Sequence, residues 1–385
     1  MFLKKNSLKC WRLALSLAIS SLLVTLNAFG QTDLDLDDIA LPPGFSIEVW
    51  TDEVPNARSM ALGDNGVVFV ATRRDGRVYA VIPSNGPAPV VVTLAEGLKM
   101  PNGVAFHEGD LYVAENHRIT RFVDIGNNLD DIPDPEVVID TLSTETHHGW
   151  RYIDFGPDGK LYIAFGAPCN VCEREGFANI SRMNADGSEQ EIVAAGIRNS
   201  VGFTWHPDTG DLWFTDNGRD MMGDDVPAGE LNHAPHEGMH FGFPYCHAGD
   251  VPDPEFGEGR SCDEFEAPAQ KLGPHVAPLG MLFYDGSMFP EEFSGQALIA
   301  EHGSWNRSRK IGYRISLVRM IDGDAAGYEV FAEGWLKDEQ VSGRPVDVLV
   351  HPDGALLVSD DQNGVIYRIT YSRPLDYGVN QDSLD

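Results

Sequence analysis

The chain has 385 residues, 42% of them hydrophobic, with 59 acidic side chains against 28 basic ones and a net charge of −31. That apolar content excludes a disordered chain. The acidic excess argues against nucleic acid and anionic membrane surfaces as partners.

The N-terminus reads as an export leader. Lys4, Lys5, Lys9 and Arg12 precede a short apolar run from Leu13 to Leu26, and Ala28-Phe29-Gly30 is a small-x-small cleavage pattern. Residues 1–30 are therefore expected to be a signal peptide and 31–385 the mature protein, exported to the periplasm or secreted. Losing those four cations takes the net charge from −31 to −35. No later run approaches membrane-spanning length, so no membrane insertion is expected after cleavage.

Residues 31–40 form an acidic lead-in, and Pro42 and Pro43 hold the chain extended into a first strand at 41–50. From there one phrase recurs: an Asp/Gly turn, a short apolar strand, a polar residue. It appears at 63–81, 107–122, 156–166, 206–220, 293–303 and 351–369. Its marker glycines Gly66, Gly109, Gly159, Gly210, Gly295 and Gly354 are spaced by 43, 50, 51, 85 and 59 residues. A four-stranded blade needs roughly 40–50 residues, so the expectation is an all-β, six-bladed β-propeller forming a single domain. The long fourth gap predicts an elaborated, disulfide-closed loop over 219–285, on a face where function would sit. The tail after Tyr371 is polar.

Beyond the leader four cysteines remain: Cys169, Cys172, Cys246 and Cys262. An even count in an exported chain implies disulfides. Three connectivities are open; the local pairing is Cys169–Cys172 with Cys246–Cys262.

Four groups at strand ends could carry chemistry. His147-His148 precede Gly149-Trp150-Arg151, and adjacent residues of a strand face opposite ways. Arg198-Asn199 offer a fixed cation and an amide. The stretch 215–230 holds Asp216, Asn217, Asp220, Asp224, Asp225 and Glu230, hard oxygens that suit Ca²⁺. Arg307, Arg309, Lys310 and Arg344 concentrate cations in an acidic protein, which points to an anionic ligand. There is no glycine-rich phosphate loop, no GxSxG elbow and no HExxH.

In their order along the chain, HHGWRYIDFGPDGKLYIAFGAPCNVC, GIRNSVGFTWHP, EHGSWNRSRKIGYR and GRPVDVLVHPDG resemble the glucose/sorbosone dehydrogenase family, closer to its sorbosone-type branch. The resemblance covers about residues 41–371. It implies an exported six-bladed propeller that holds pyrroloquinoline quinone (PQQ) with Ca²⁺, oxidises a small-molecule sugar and passes electrons to an external acceptor. It implies a histidine base: counting back from Gly156 selects His148, and counting back from Arg151 selects His147. Arg198 and Asn199 match the pair beside the quinone, and Asn217, Gly218 and Arg219 match the Ca²⁺ ligands. Lys310 and Arg344 match the cations on the PQQ carboxylates. Val346 stands where glucose-oxidising relatives carry a second arginine, so Arg307 or Arg309 is expected to take part. The same architecture also suits a Ca²⁺-dependent lactonase-type hydrolase or a non-catalytic carbohydrate-binding propeller.

Overall fold

The structure is a computed structural model that describes residues 35–373 except residue 87. The expected leader, with Cys10, and the tail beyond 373 lie outside the described residues. Within them the only helical pieces are single 3₁₀ turns, and no helix is long and apolar enough to cross a membrane.

Six sheets of antiparallel strands follow one another along the chain, as expected for a six-bladed propeller. The first blade is Ala57–Leu62, Val68–Thr72, Val78–Ile82 and Val90–Ala95; the second is Gly103–His107, Asp110–Ala114, Ile119–Phe122 and Glu136–Ile139. The third is Ile153–Phe155, Leu161–Phe165, Asn179–Met183 and Glu191–Ala195. The fourth is Phe203–Trp205, Leu212–Asp216, Ala228–Ala234 and Gln270–Pro274. The fifth is Pro278–Phe283, Ala297–Glu301, Arg314–Ile321 and Asp324–Glu333. The sixth takes Pro345–Val350, Leu356–Asp360 and Val365–Tyr371 from the end of the chain and Phe45–Thr51 from its beginning. Phe45 seats that closing strand, its ring edge-on to Phe289, Phe293 and Phe331 at 4.7–5.2 Å.

Each repeated phrase of the sequence falls on the turn into the second strand of a blade. The six marker glycines all have positive φ, from 71° to 91°. An L side chain there would cost about 1–2 kcal/mol, which is why the turn recurs with glycine. The second strands are buried almost end to end. Sandwiched between neighbouring blades, they read as unbroken apolar runs rather than alternating ones. The core accordingly lies between blades: Phe69 and Val104 join the first to the second, and Tyr162 and Phe214 the third to the fourth. Each such side chain contributes about 1.5–3 kcal/mol by leaving water.

The segment 219–285 is a loop only in part. Strands Ala228–Ala234, Gln270–Pro274 and Pro278–Phe283 run through it. Gly229, Asn232 and His233 masked the first of these because its faces are set by blade packing rather than by apolar alternation. The true insertion, 235–269, joins the third and fourth strands of blade four. It pairs Met239–His240 alongside Glu191–Ala195 of blade three and folds back as Cys246–His247 against Val251–Pro252. Both local disulfides, Cys169–Cys172 and Cys246–Cys262, are formed.

Candidate functional site

In each blade the start of the first strand and the end of the second lie at the same end of the ring. The chemistry-bearing residues gather there, around a cavity of about 280 Å³. Its lining includes Arg58, Arg73, His148, Trp150, Arg198, Asn199, Asn217, Gly218, Asp220, His302, Trp305, Asn306 and Arg344.

The structure separates the two histidines. His148 is buried and lines the cavity, whereas His147 is exposed with its ring tilted against that of His148 at 4.1 Å. His148 sits at φ 47°, so the pair does not alternate as residues of a strand would. Its Nδ1 lies 2.7 Å from the carbonyl of Ala167. A carbonyl only accepts, so Nδ1 carries the proton and the neutral ring leaves Nε2 with a lone pair. Burial first, then Arg198 and His147, hold the His148 pKa well below the usual value. Burial and Arg198 also lower that of His147. Between His148 and Asn199 stands Gly166: a Cβ on it would come within 2.6 Å of His148 Cβ and 2.8 Å of Asn199 Oδ1. Only glycine permits this approach.

Arg198 is buried and nearly saturated. Nε donates to Asn170 O, Nη1 to Asn217 O, and Nη2 to both Asn170 Oδ1 and Asp220 Oδ2, all at 2.9–3.0 Å. Four of its five N–H groups are thus held, and one on Nη1 remains. Asn170 lies between Cys169 and Cys172, so that disulfide shapes the loop that fixes Arg198. The backbone N–H groups of Arg198 and Asn199 both donate to Asp216, at 2.8 and 2.6 Å. Asn199 Oδ1 is buried without a partner.

The side-chain amide of Asn217 donates to the carbonyls of Asn199 and Pro278, each at 3.0 Å. This consumes both N–H groups and leaves Oδ1 as an acceptor. Among the described residues nothing donates to the carbonyls of Gly218 or Arg219. One amide and two carbonyl oxygens are the hard, uncharged donors that a Ca²⁺ ion accepts, so the residues fit the expected ligand set. The Arg219 side chain points elsewhere, to Asp253 and Glu255 of the insertion. Against burial, which alone would raise it, Arg219 and His247 hold the Asp253 pKa down to about 2. The insertion therefore contributes no residue to the cavity lining and instead braces the 217–220 loop from behind.

The other oxygens of 215–230 disperse. Asp216 faces Glu230 inside blade four, where burial and then Glu230 push the Asp216 pKa up to about 8. Asp220 binds Arg198 and Asn306, while Asp224 accepts from Ser308 N and Asp225 pairs with Arg307. Among the described residues no cluster of three His, Cys, Asp or Glu is arranged for a metal.

The basic cluster divides. Arg344 lines the cavity, its Nε and Nη2 donating to the carbonyls of His302 and Gly303 at 3.2 and 3.3 Å. Lys310 is exposed and caps Glu339 O, and Arg307 clamps Asp224 O and Asp225. Neither lines the cavity, because both tie neighbouring loops together; Arg309 is exposed. In their place stand Arg58 and Arg73. Arg58 is buried and paired with Asp361 at 2.7 Å. Arg73 lies 3.9 Å over the ring of Trp150. Burial, Arg58 and Arg74 pull the Arg73 pKa down to about 10. Among the described residues no carboxylate comes within ion-pairing distance of Arg73 or Arg344. Their signal in the sequence was positional: Arg58 lies at the start of the first strand of blade one and Arg73 just past the end of its second, as Arg198 and Asn217 flank those of blade four.

The TrAA12-like family model matches residues 39–372. An uncharacterized protein of Borreliella burgdorferi is 31% identical over 353 residues, covering 87% of this chain and 91% of that one. Among solved structures, an enzyme of carbohydrate-active family AA12 from Trichoderma reesei superposes with a TM-score of 0.76 at 20% identity, over 87% of this chain and 98% of its own. The holo PQQ domain of a pyranose dehydrogenase from Coprinopsis cinerea gives 0.74 at 18%, over 86% and 97%. A PQQ-bound aldose sugar dehydrogenase from Streptomyces coelicolor gives 0.61 at 19%, over 86% and 100%. The fold expected from the sequence is the fold of these proteins.

Proposed function

The chain belongs to the TrAA12-like family, and from that premise we propose that it is a PQQ- and Ca²⁺-dependent sugar dehydrogenase that passes electrons to an external acceptor. The observation that carries the reading is the pair Arg73 and Arg344: cations that line one cavity of a strongly acidic protein with no carboxylate within ion-pairing distance, the nearby Asp361 being already paired with Arg58 and His302. One carboxylate shared among Arg58, Arg73 and Arg344 does not balance three arginines withdrawn from water, which is costly unless an anion completes the set, and PQQ is a tricarboxylate.

In this reading Arg344 and Arg73 hold the carboxylates, Arg73 taking the part expected of Lys310. Asn217 Oδ1 and the carbonyls of Gly218 and Arg219 hold Ca²⁺. When bound, the quinone with its metal supplies the hydride-accepting chemistry that no side chain can. His148 Nε2 takes the proton of the sugar hydroxyl, and Ala167 keeps the ring in the required tautomer. A base held neutral by burial is ready for proton transfer at neutral pH. Arg198 lines the cavity with one N–H not otherwise engaged, and a fixed donor there stabilises developing negative charge without reorganising. His147 has no part in catalysis. Residues 1–30 are removed on export, so N-terminal sequencing of the secreted or periplasmic protein should begin after Gly30.

The test is titration of the purified apo-protein with PQQ, with and without Ca²⁺, followed by dye reduction across a sugar panel. Ca²⁺-dependent binding with sugar-dependent reduction is the expected result. Absence of PQQ binding would overturn the reading.

A further inference from the structure

The rim of the cavity carries a side chain that neither the fold nor the cofactor site employs. Trp305 is 68% exposed, although it lines the cavity and sits on a firmly held turn. Ser304 N donates to Ile311 O at 2.9 Å, Tyr313 Oη donates to Ser304 O at 2.6 Å, and Gly303 N donates to Val276 O at 2.8 Å. The backbone immediately before the indole is thus pinned on both faces. Among the described residues no aromatic ring packs on it. Scattered apolar side chains on a surface need no explanation; an exposed indole at the mouth of a polar, cationic cavity does.

Its neighbour adds a second observation. Asn306 Nδ2 donates to Asp220 Oδ1 at 2.9 Å, which turns Asn306 Oδ1 the other way, buried and without a partner. Both residues line the cavity. The wall thus offers one broad apolar face beside a side-chain amide pinned to Asp220. A sugar ring has that surface: one face of C–H groups, with hydroxyls around the edge.

We propose that Trp305 is the platform on which the sugar ring stacks at the cavity mouth. This rests on the reading of the cavity as a sugar-oxidising site. The occupant is a monosaccharide ring, with one apolar face laid on the indole and its reacting carbon toward His148.

The test compares wild type, Trp305→Ala and Trp305→Phe. PQQ affinity is read by absorbance, and binding of D-glucose, D-mannose and D-xylose by calorimetry, on apo-protein and on protein loaded with Ca²⁺ and reduced cofactor so that no turnover occurs. Trp305→Ala should weaken sugar binding by roughly tenfold, the scale of a lost aromatic contact, with Trp305→Phe recovering most of it. PQQ affinity should stay within about twofold of wild type, because the indole touches the other ligand. Unchanged sugar affinity in Trp305→Ala overturns the platform, as does failure of wild type to bind any of the three sugars. Loss of PQQ affinity in Trp305→Ala overturns it too, because the ring would then cover the cofactor. If wild type binds sugar through Trp305 but takes up no PQQ, the platform stands and the dehydrogenase reading falls.

Discussion

Replacing His148 with asparagine isolates one atom. Asparagine is among the residues that tolerate positive φ, so the backbone at φ 47° is kept. Its amide N–H can still reach the Ala167 carbonyl that Nδ1 now engages at 2.7 Å. What disappears is Nε2, the atom proposed as base. General-base catalysis contributes typically 10²–10⁴-fold, or about 2.7–5.5 kcal/mol of barrier. With PQQ and Ca²⁺ saturating, kcat should fall within that range, while the Tm and PQQ affinity stay near wild type. The pH profile gives an independent reading. Because the His148 pKa is lowered, the neutral base persists below the ordinary histidine range, so kcat/KM of wild type should hold down through pH 6.5. Wild-type kcat in His148→Asn would refute the argument, as would an ordinary histidine inflection at 6.5.

Arg73→Gln and Arg344→Gln should each weaken PQQ binding by at least tenfold in an absorbance titration, whereas Lys310→Gln should change it less than twofold; a large Lys310 effect would return the clamp to the outer loop. Asn217→Ala should raise the Ca²⁺ concentration needed for PQQ binding more than tenfold, and an unchanged requirement would move the metal elsewhere. Asp347 accepts from Met60 N and Val348 N, and burial raises its pKa to about 7. Its contribution to stability is full below about pH 4 and is lost as pH rises through 7. Measured against Asp347→Asn, the Tm advantage of wild type should therefore shrink between pH 5 and 8, and a growing advantage would contradict the sign. Cys246 and Cys262 are 16 residues apart. Replacing both with serine should cost about 3 kcal/mol in urea denaturation, the chain-entropy value for a loop near that size.

The recurrent turn made the ring legible in the sequence because its demand on the backbone is local: six glycines at positive φ, each before a strand buried on both faces. Those turns join the first and second strands and so lie at the end of the ring away from the cavity. The glycine turn that revealed the fold therefore lies away from the chemistry, while the strand it opens ends at the cavity, as at Arg73 and Asn217. Arg198, Asn199 and Asn217, singled out by the family resemblance, do line the cavity. Arg58 and Arg73 were not singled out, since they meet Arg344 only after the chain has gone round the whole ring. Arg307 and Lys310 lie outside the cavity lining. Crowded in sequence, they looked like a ligand site, yet their partners are Asp225 and Glu339 on adjoining loops. His147 and His148 could not be told apart because the strand alternation assumed for them fails at a left-handed residue.

The closing strand has a consequence for assembly in time. Phe45–Thr51 leaves the ribosome before nearly all of the ring, but it pairs with Val365–Tyr371 in the last blade. Blades one to five can each gather strands that are neighbours in sequence. The sixth must wait until about 320 intervening residues have been made, and contacts that distant are entropically expensive to close. Until then the first strand exposes an unpaired edge, the kind of edge that other chains can capture. Folding of this protein should therefore end in one slow step, ring closure, and truncation just before Val365 should abolish that step while leaving the earlier blades able to form.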